Sequence, residues 1–216
     1  EILIGLVGSE MCIRDRLMST KLKIAAAVAA AVLLSACSSP KHEPMPLVNF
    51  TPSMEVTEVW SKGLSSAEGF LVPAVYDDMV FAAGGKTLTR LNARTGETEW
   101  SVSFNSPITG GVGSDGYVTA VGLWDGNLEV VDAEGKVSWE KKLTTELASP
   151  PVVSHGLVIA RTMDTRVSAF EASSGELQWT YQKSQPALTV RLPTRMLAHD
   201  NFLLVGQPNG HIVILD

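Results

Sequence analysis

Short apolar runs recur along the chain from about residue 79 onwards, each four or five residues long. They are rich in β-branched and aromatic residues and lie at positions 79–82, 117–121, 157–160 and 202–205. Short runs of this composition, bounded by turn residues, are typical of β-strands. No helical periodicity competes with them after residue 50. The pattern predicts an all-β protein.

Two sets of turn residues flank these runs. The turn before each run is Tyr76-Asp77-Asp78, Ser114-Asp115-Gly116, Ser154-His155-Gly156 or His199-Asp200-Asn201. The turn after each run is Gly84-Gly85, Asp125-Gly126, Asp164-Thr165 or Asn209-Gly210. Asp-Gly and Asn-Gly pairs favour tight hairpins because they tolerate positive φ. Each unit is therefore predicted to contain four short antiparallel strands.

A tryptophan marks the period of these units. Trp60, Trp100, Trp139 and Trp179 are separated by 40, 39 and 40 residues. The glycines that precede the last three tryptophans keep the same period, at Gly96, Gly135 and Gly175. Four short strands repeated about every forty residues predict a β-propeller. We expect each tryptophan to be a large ring wedged between neighbouring blades.

The repeat divides residues 53–216 into about three and a half blades. We expect blades at about 65–104, 105–143 and 144–183, and an incomplete one at 184–216. Residues 56–62 precede the first blade and are predicted to be a lone outer strand, which in a closed ring completes the last blade. Since the outer faces of the first and fourth blades then lack partners, we expect poor solution behaviour from the chain alone.

The N-terminal region has the pattern of a secretory signal. From Met18 onwards, two lysines are followed by eleven small or apolar residues, 24–34, which is the order of a signal peptide. The four residues ending at Cys37 are Leu-Ser-Ala-Cys and resemble the bacterial lipobox. The resemblance implies removal of residues 18–36, acylation of Cys37, and, with Ser38 after the cysteine, transfer to the outer membrane.

The segments on either side of the signal are not expected to fold. Residues 1–17 precede the plausible start methionine and are interpreted as a foreign leader. Residues 37–52 are rich in serine, proline and charge, which predicts an extended tether between the lipid and the folded part.

Composition excludes several functions. The net charge of −6 argues against a nucleic-acid partner, because such surfaces carry a basic excess. Both cysteines, Cys12 and Cys37, precede the predicted propeller, so we expect no disulfide or thiolate site within it. The four histidines are never within four residues of one another. We predict no catalytic residue, no metal site and no cofactor.

The repeat resembles a known family. The segment 91–100, with its Asn-Ala-x-Thr-Gly-x-x-x-Trp pattern, is similar to quinoprotein-like propellers. Together with the lipobox and the segments 149–160 and 185–193, it resembles the BamB family of outer-membrane assembly lipoproteins. The resemblance implies an eight-bladed, non-catalytic scaffold at the periplasmic face of the outer membrane, with about half of the ring present here. It also implies binding to BamA POTRA domains, to other assembly subunits and to unfolded outer-membrane proteins.

One loop is implied as the docking site. The family's Leu-x-Leu-Arg pattern is matched by Leu188, Val190 and Arg191, with valine in place of the second leucine. Independently, the spacing between equivalent turns is 38 and 40 residues and then 45, which indicates an insertion of about five residues in the fourth unit. Loops on a rigid scaffold commonly carry recognition.

Two other functions stay open. Pyrroloquinoline-quinone dehydrogenases share this repeat, although the acidic residues here fall mostly in turns, where hairpin chemistry accounts for them. A ligand- or glycan-binding propeller is the other alternative. For that function Trp124, which lies off the tryptophan period and beside the Asp125-Gly126 turn, is the candidate stacking platform.

Overall fold

The computed structural model describes residues 45–66, 69–183 and 194–216. The chain divides into two compact units, residues 1–55 and 56–216. Residues 45–55, the described part of the first unit, carry no helix or strand and have exposed side chains. Cys37 and the predicted signal lie outside the described residues.

The second unit consists of antiparallel sheets of short strands. The first sheet is β2 (Ala74–Tyr76), β3 (Met79–Gly84), β4 (Thr87–Asn92) and β5 (Thr98–Ser103). The second sheet is β6 (Ile108–Ser114), β7 (Thr119–Leu123), β8 (Asn127–Val131) and β9 (Val137–Lys142), with β1 (Phe70–Leu71) added at its edge. The third sheet is β10 (Val152–Ser154), β11 (Leu157–Arg161), β12 (Val167–Glu171) and β13 (Leu177–Tyr181). The fourth sheet has three described strands, β14 (Leu197–His199), β15 (Phe202–Gly206) and β16 (Ile212–Leu215).

Successive sheets pack face to face through three hydrophobic clusters. Phe81 and Leu88 of the first sheet meet Val121 of the second sheet in one cluster. The second and third sheets share a cluster that includes Leu128 and Phe170. The third and fourth sheets share the last cluster. A sheet can bury both of its faces in this way only if it has a neighbouring sheet on each side. The core is therefore a series of layers between successive sheets.

Three of the tryptophans, Trp60, Trp100 and Trp139, each contact a turn of the sheet that follows in the chain. The indole nitrogen of Trp60 donates to the carbonyl of Ala93 at 2.8 Å. Trp100 does the same to Ala133 at 2.9 Å, and Trp139 to Ala172 at 2.8 Å. Each ring also covers the glycine that follows its carbonyl acceptor. An added Cβ at Gly96, Gly135 or Gly175 would lie 2.7 Å from the tryptophan ring.

Trp179 occupies the same position on β13 and packs against the cluster between the third and fourth sheets. The fourth sheet's equivalent of Ala172 is not among the described residues. Trp179 lines a groove of about 570 Å³ together with Tyr181 and Leu215.

A parallel strand pair was not foreseen. Leu71 of β1 pairs with Gly111 of β6, and the Val72 amide donates to the Gly111 carbonyl at 2.7 Å. The close contact between this segment and β6 requires a glycine at position 69, directly before β1. A Cβ on Gly69 would lie 2.4 Å from the carbonyl oxygen of Thr109. The segment before the first sheet therefore joins the second sheet.

Two expected strands differ from the structure. The apolar run at 117–121 becomes a strand only from Thr119, because the Asp115 carboxylate accepts hydrogen bonds from the amides of Tyr117 and Val118 at 3.0 and 2.9 Å. Residues 56–62 are not a strand. No described strand forms a ladder with them, although Trp60 still contacts the turn of the first sheet.

The contact between tryptophan and glycine can be separated from backbone strain. Gly175 and Gly156 have similar positive φ values, +70° and +73°, but a Cβ on Gly156 meets nothing within 4 Å. We expect Gly175→Ala to lower the free energy of unfolding by about 1–3 kcal/mol more than Gly156→Ala, because only the former displaces an indole ring. Urea denaturation of both variants measures the difference. Equal losses would show that the tryptophan contact contributes nothing.

Candidate functional site

The longest interval between described strands of successive sheets runs from Tyr181, the end of the third sheet, to Leu197, the start of the fourth. It covers residues 182–196, fifteen positions, whereas 104–107 and 143–151 make the two earlier connections with four and nine. Leu188, Val190 and Arg191 belong to this connection, which we call the 182–196 loop. All three lie in 184–193, outside the described residues. The structure thus describes the two ends of the loop.

Polar bonds to the third sheet hold both ends. The Nη1 atom of Arg161, a buried residue at the end of β11, donates to the Thr194 hydroxyl at 2.7 Å, and that hydroxyl donates to the Gly206 carbonyl at 3.3 Å. At the other end, Nη2 of Arg166 donates to the Gln182 side-chain oxygen at 3.1 Å. The loop therefore begins and ends on side chains of one rigid sheet.

Arg161 is an unusual residue for this position. It is 3% exposed, and burial lowers the pKa of its guanidinium. Within the described residues its side chain bonds only to Thr194. A buried arginine is costly unless its donors are engaged. Arg161 fixes Thr194, where the 182–196 loop returns to the sheets.

Trp124 follows β7 and stands in solvent. Its side chain is 59% exposed, and its amide donates to the Pro107 carbonyl at 2.8 Å, which fixes the backbone of the turn. The ring belongs to none of the three hydrophobic clusters between the described sheets. It stays available as a surface platform.

Two negative findings concern the described residues only. In them, no three His, Cys, Asp or Glu side chains are grouped so that they could hold a metal ion. The same residues contain no helix of the length and apolarity needed to cross a membrane.

Sequence reasoning missed a pair of carboxyl groups in the second sheet. Glu129 of β8 lies directly opposite Glu140 of β9, and it is 7% exposed. Burial, reinforced by a hydrogen bond and repulsion from Glu140 and by the charge of Asp125, raises the pKa of Glu129 to about 7. Glu129 is therefore about half protonated near neutral pH.

The repeat itself could have revealed this pair. At the same register the first sheet places Thr89 opposite Ser101, and the third places Ser168 opposite Thr180. Those hydroxyls bond to each other, at 2.8 and 3.3 Å. Aligning the units strand by strand shows that only the second sheet replaces two hydroxyls with two acids.

Comparison with known proteins places the repeat in a family. The family model described as outer membrane protein assembly factor BamB matches residues 84–216. The chain is 37% identical to outer membrane protein assembly factor BamB of Burkholderia pseudomallei over 88% of this chain and 52% of that protein. It is 31% identical to the same factor of Bordetella pertussis over 85% of this chain and 49% of that protein. The chain thus spans about half the length of these curated relatives.

A solved structure agrees. The crystal structure of BamB from Moraxella catarrhalis superposes with a TM-score of 0.59 and 27% identity, over 68% of this chain and 44% of that one. The match confirms the predicted all-β propeller built from four-stranded antiparallel blades.

The carboxyl pair makes stability depend on pH. Because the pKa of Glu129 is about 7 in the folded protein and about 4.5 ordinarily, the folded state holds a proton between these values that the unfolded chain has released. The free energy of unfolding therefore falls as pH rises through this window. We expect Glu129→Gln to remove this loss, and to be more stable than the parent at pH 8 by on the order of 2 kcal/mol.

Urea unfolding at pH 5 and pH 8 measures this effect. The matched control is Glu134→Gln, which changes an exposed glutamate in the turn after β8. The prediction is wrong if Glu129→Gln keeps the pH dependence of the parent.

Proposed function

The chain belongs to the BamB family of outer membrane protein assembly factors, and from this premise we propose that it is a non-catalytic scaffold subunit of the outer-membrane β-barrel assembly machinery. The family match over residues 84–216 and the stacked four-stranded sheets support the proposal. Because the chain spans about half of its relatives, the partners named below are proposals for this chain as well.

The proposed partner surface is the 182–196 loop, which binds the POTRA domains of BamA. The observation that carries this proposal is the way the loop is held, with Arg161 bonded to Thr194 at one end and Arg166 bonded to Gln182 at the other. A loop with fixed ends on a rigid sheet loses less conformational freedom on binding than a free one. Its length beyond the other connections gives it the reach to contact a second protein.

The residues of the loop supply suitable chemistry. Leu188 and Val190 are two positions apart, so in an extended segment they lie on the same side, and Arg191 follows at their margin. Apolar anchors beside an arginine fork are frequent at the centre and rim of protein interfaces. The scaffold holds BamA and unfolded outer-membrane proteins near each other without chemical change to either.

The anchor completes the proposal. Acylation of Cys37 holds the protein at the periplasmic face of the outer membrane, and residues 37–52 link it to the propeller. Sixteen extended residues reach roughly 50 Å. Residues 45–52 lack helix and strand and are exposed, which suits a tether.

A ligand-binding propeller is the second candidate, and the exposed ring of Trp124 is the observation that favours it. An aromatic face in a turn can stack on a sugar ring or a similar flat ligand. The two functions use different surfaces, since Trp124 lies between β7 and β8 and the 182–196 loop lies between the third and fourth sheets.

The docking proposal predicts the effect of Arg191. We expect Arg191→Ala to weaken binding to purified BamA POTRA domains by about 2 kcal/mol, roughly 30-fold, because an interface arginine loses its bonds on truncation. Surface plasmon resonance measures the affinity. Arg94→Ala, which removes an exposed arginine from a turn of the first sheet, is the control and should change little. A charge reversal, Arg191→Glu, that leaves the interaction intact would rule out this surface.

The anchor predicts a mass change. Intact-protein mass spectrometry of the protein from membranes should show cleavage before Cys37 and several acyl chains on this residue. Cys37→Ser should move the protein from the membrane fraction to the soluble periplasm. An unmodified Cys37 in the membrane fraction would contradict the proposal.

A further inference from the structure

A groove of about 340 Å³ lies between the second and third sheets, and its rim is basic. Lys141 and Lys142 at the end of β9 line one side, and Arg166 before β12 lines the other. The hydroxyls of Ser168 and Thr180 face it from the third sheet. The groove thus combines three cations with two hydroxyl donors in a volume suited to a small ligand.

These cations are only partly engaged by the protein. Within the described residues, the Lys141 ammonium has no bonding partner, and the Lys142 ammonium donates to the Asp125 carbonyl. Arg166 uses Nη2 on Gln182. Its Nε is buried without a hydrogen bond, since the nearest carboxylate oxygen, on Asp164, is 3.9 Å away. The two lysine ammonium groups are exposed at the rim, where an anion in the groove could bind them.

The equivalent groove between the first and second sheets has the opposite character. By strand register, Val102 and Ser103 there take the places of Lys141 and Lys142, and Asn127 takes that of Arg166. The positions of Ser168 and Thr180 are held by the Glu129 and Glu140 carboxyls. The fold therefore does not need positive charge at this place. The three cations are particular to one interface.

The hydroxyl pair adds a free donor. Ser168 Oγ and Thr180 Oγ1 are 3.3 Å apart and either can donate to the other. Whichever accepts keeps its own proton for a third group. This proton, the Lys141 ammonium and the Arg166 guanidinium are oriented around one groove.

Charge decides the class of anion. Burial raises the pKa of Asp164, but hydrogen bonds from Thr162 and Thr144 outweigh burial and hold this pKa below its ordinary value. The Asp164 carboxylate is therefore ionised at neutral pH. Three cations and Asp164 sum to +2. A phosphate monoester carries about −1.5 to −2 at pH 7 and offers three acceptor oxygens, whereas a carboxylate carries −1 and offers two.

We propose that the groove between the second and third sheets binds a phosphate monoester group through Lys141, Lys142 and Arg166, with the Ser168–Thr180 pair as hydroxyl donor. The group can come from a soluble phosphorylated molecule or from a lipid headgroup. The site shares Arg166 with one end of the 182–196 loop, through the bond to Gln182, but it does not depend on the scaffold function.

Isothermal titration of the full chain with inorganic phosphate, at constant ionic strength set by chloride, tests the soluble source. Co-sedimentation with phosphatidylcholine vesicles, with and without phosphatidic acid, tests the lipid source. The variants copy the equivalent groove and are therefore compatible with the fold: Lys141→Val with Lys142→Ser, and separately Arg166→Asn. The control, Lys62→Ser with Lys136→Ser, removes two exposed lysines elsewhere.

We expect saturable binding that weakens at least tenfold in both groove variants and stays within twofold in the control. Binding of free phosphate with this pattern supports the site with a soluble source. Binding only to phosphatidic acid vesicles with this pattern supports it with a lipid source. Binding of neither probe, or equal weakening in the control, overturns the proposal.

Discussion

The placing of an indole ring on the glycine turn of the next sheet is the contact on which this structure depends. In all three described cases, the tryptophan and its carbonyl acceptor are 33 residues apart, as in Trp60 with Ala93 and Trp139 with Ala172. The ring contributes apolar area, while its N–H donates a hydrogen bond to a carbonyl in the turn of the next sheet. The glycine is required because a Cβ would lie 2.7 Å from the ring. One contact thus sets the distance and the orientation between neighbouring sheets, and the hydrophobic clusters fill the space that remains.

A repeated frame of this kind lets individual positions vary without loss of the fold. At one register the three complete sheets carry two hydroxyls, two carboxyls and again two hydroxyls, and the pKa of one of these carboxyls, that of Glu129, is raised to about 7. The second sheet therefore has an acidic face towards the first sheet and a basic edge, Lys141 and Lys142, towards the third. Departures from the repeat mark places where something besides stacking is selected. The 182–196 loop is another departure, in length instead of charge.

The sequence predicted what the repeat determines, namely the strands, the two kinds of hairpin and the position of each tryptophan, because spacing and turn chemistry are local signals. It did not predict β1, since a two-residue parallel pairing depends on a non-local approach to Gly110 and Gly111. The prediction placed the start of β7 at Tyr117 instead of Thr119, because the Asp115 carboxylate accepts hydrogen bonds from amides that a ladder would otherwise use. The raised pKa of Glu129 depends on burial and on a partner across the sheet, neither of which is visible along one strand. Leu188, Val190, Arg191 and Cys37 lie outside the described residues and stay predictions.

The short strand β1 has a mechanical meaning. The chain runs past Trp60, pairs with the edge of the second sheet through β1, and only then enters the first sheet at β2. A pull applied from the N-terminal side reaches the Trp60 contact and the β1–β6 bonds before it reaches any strand of the first sheet. In a parallel pair such a pull acts along the strands and loads the hydrogen bonds together, in shear. This segment therefore takes up tension applied from the N-terminal side before the first sheet is loaded.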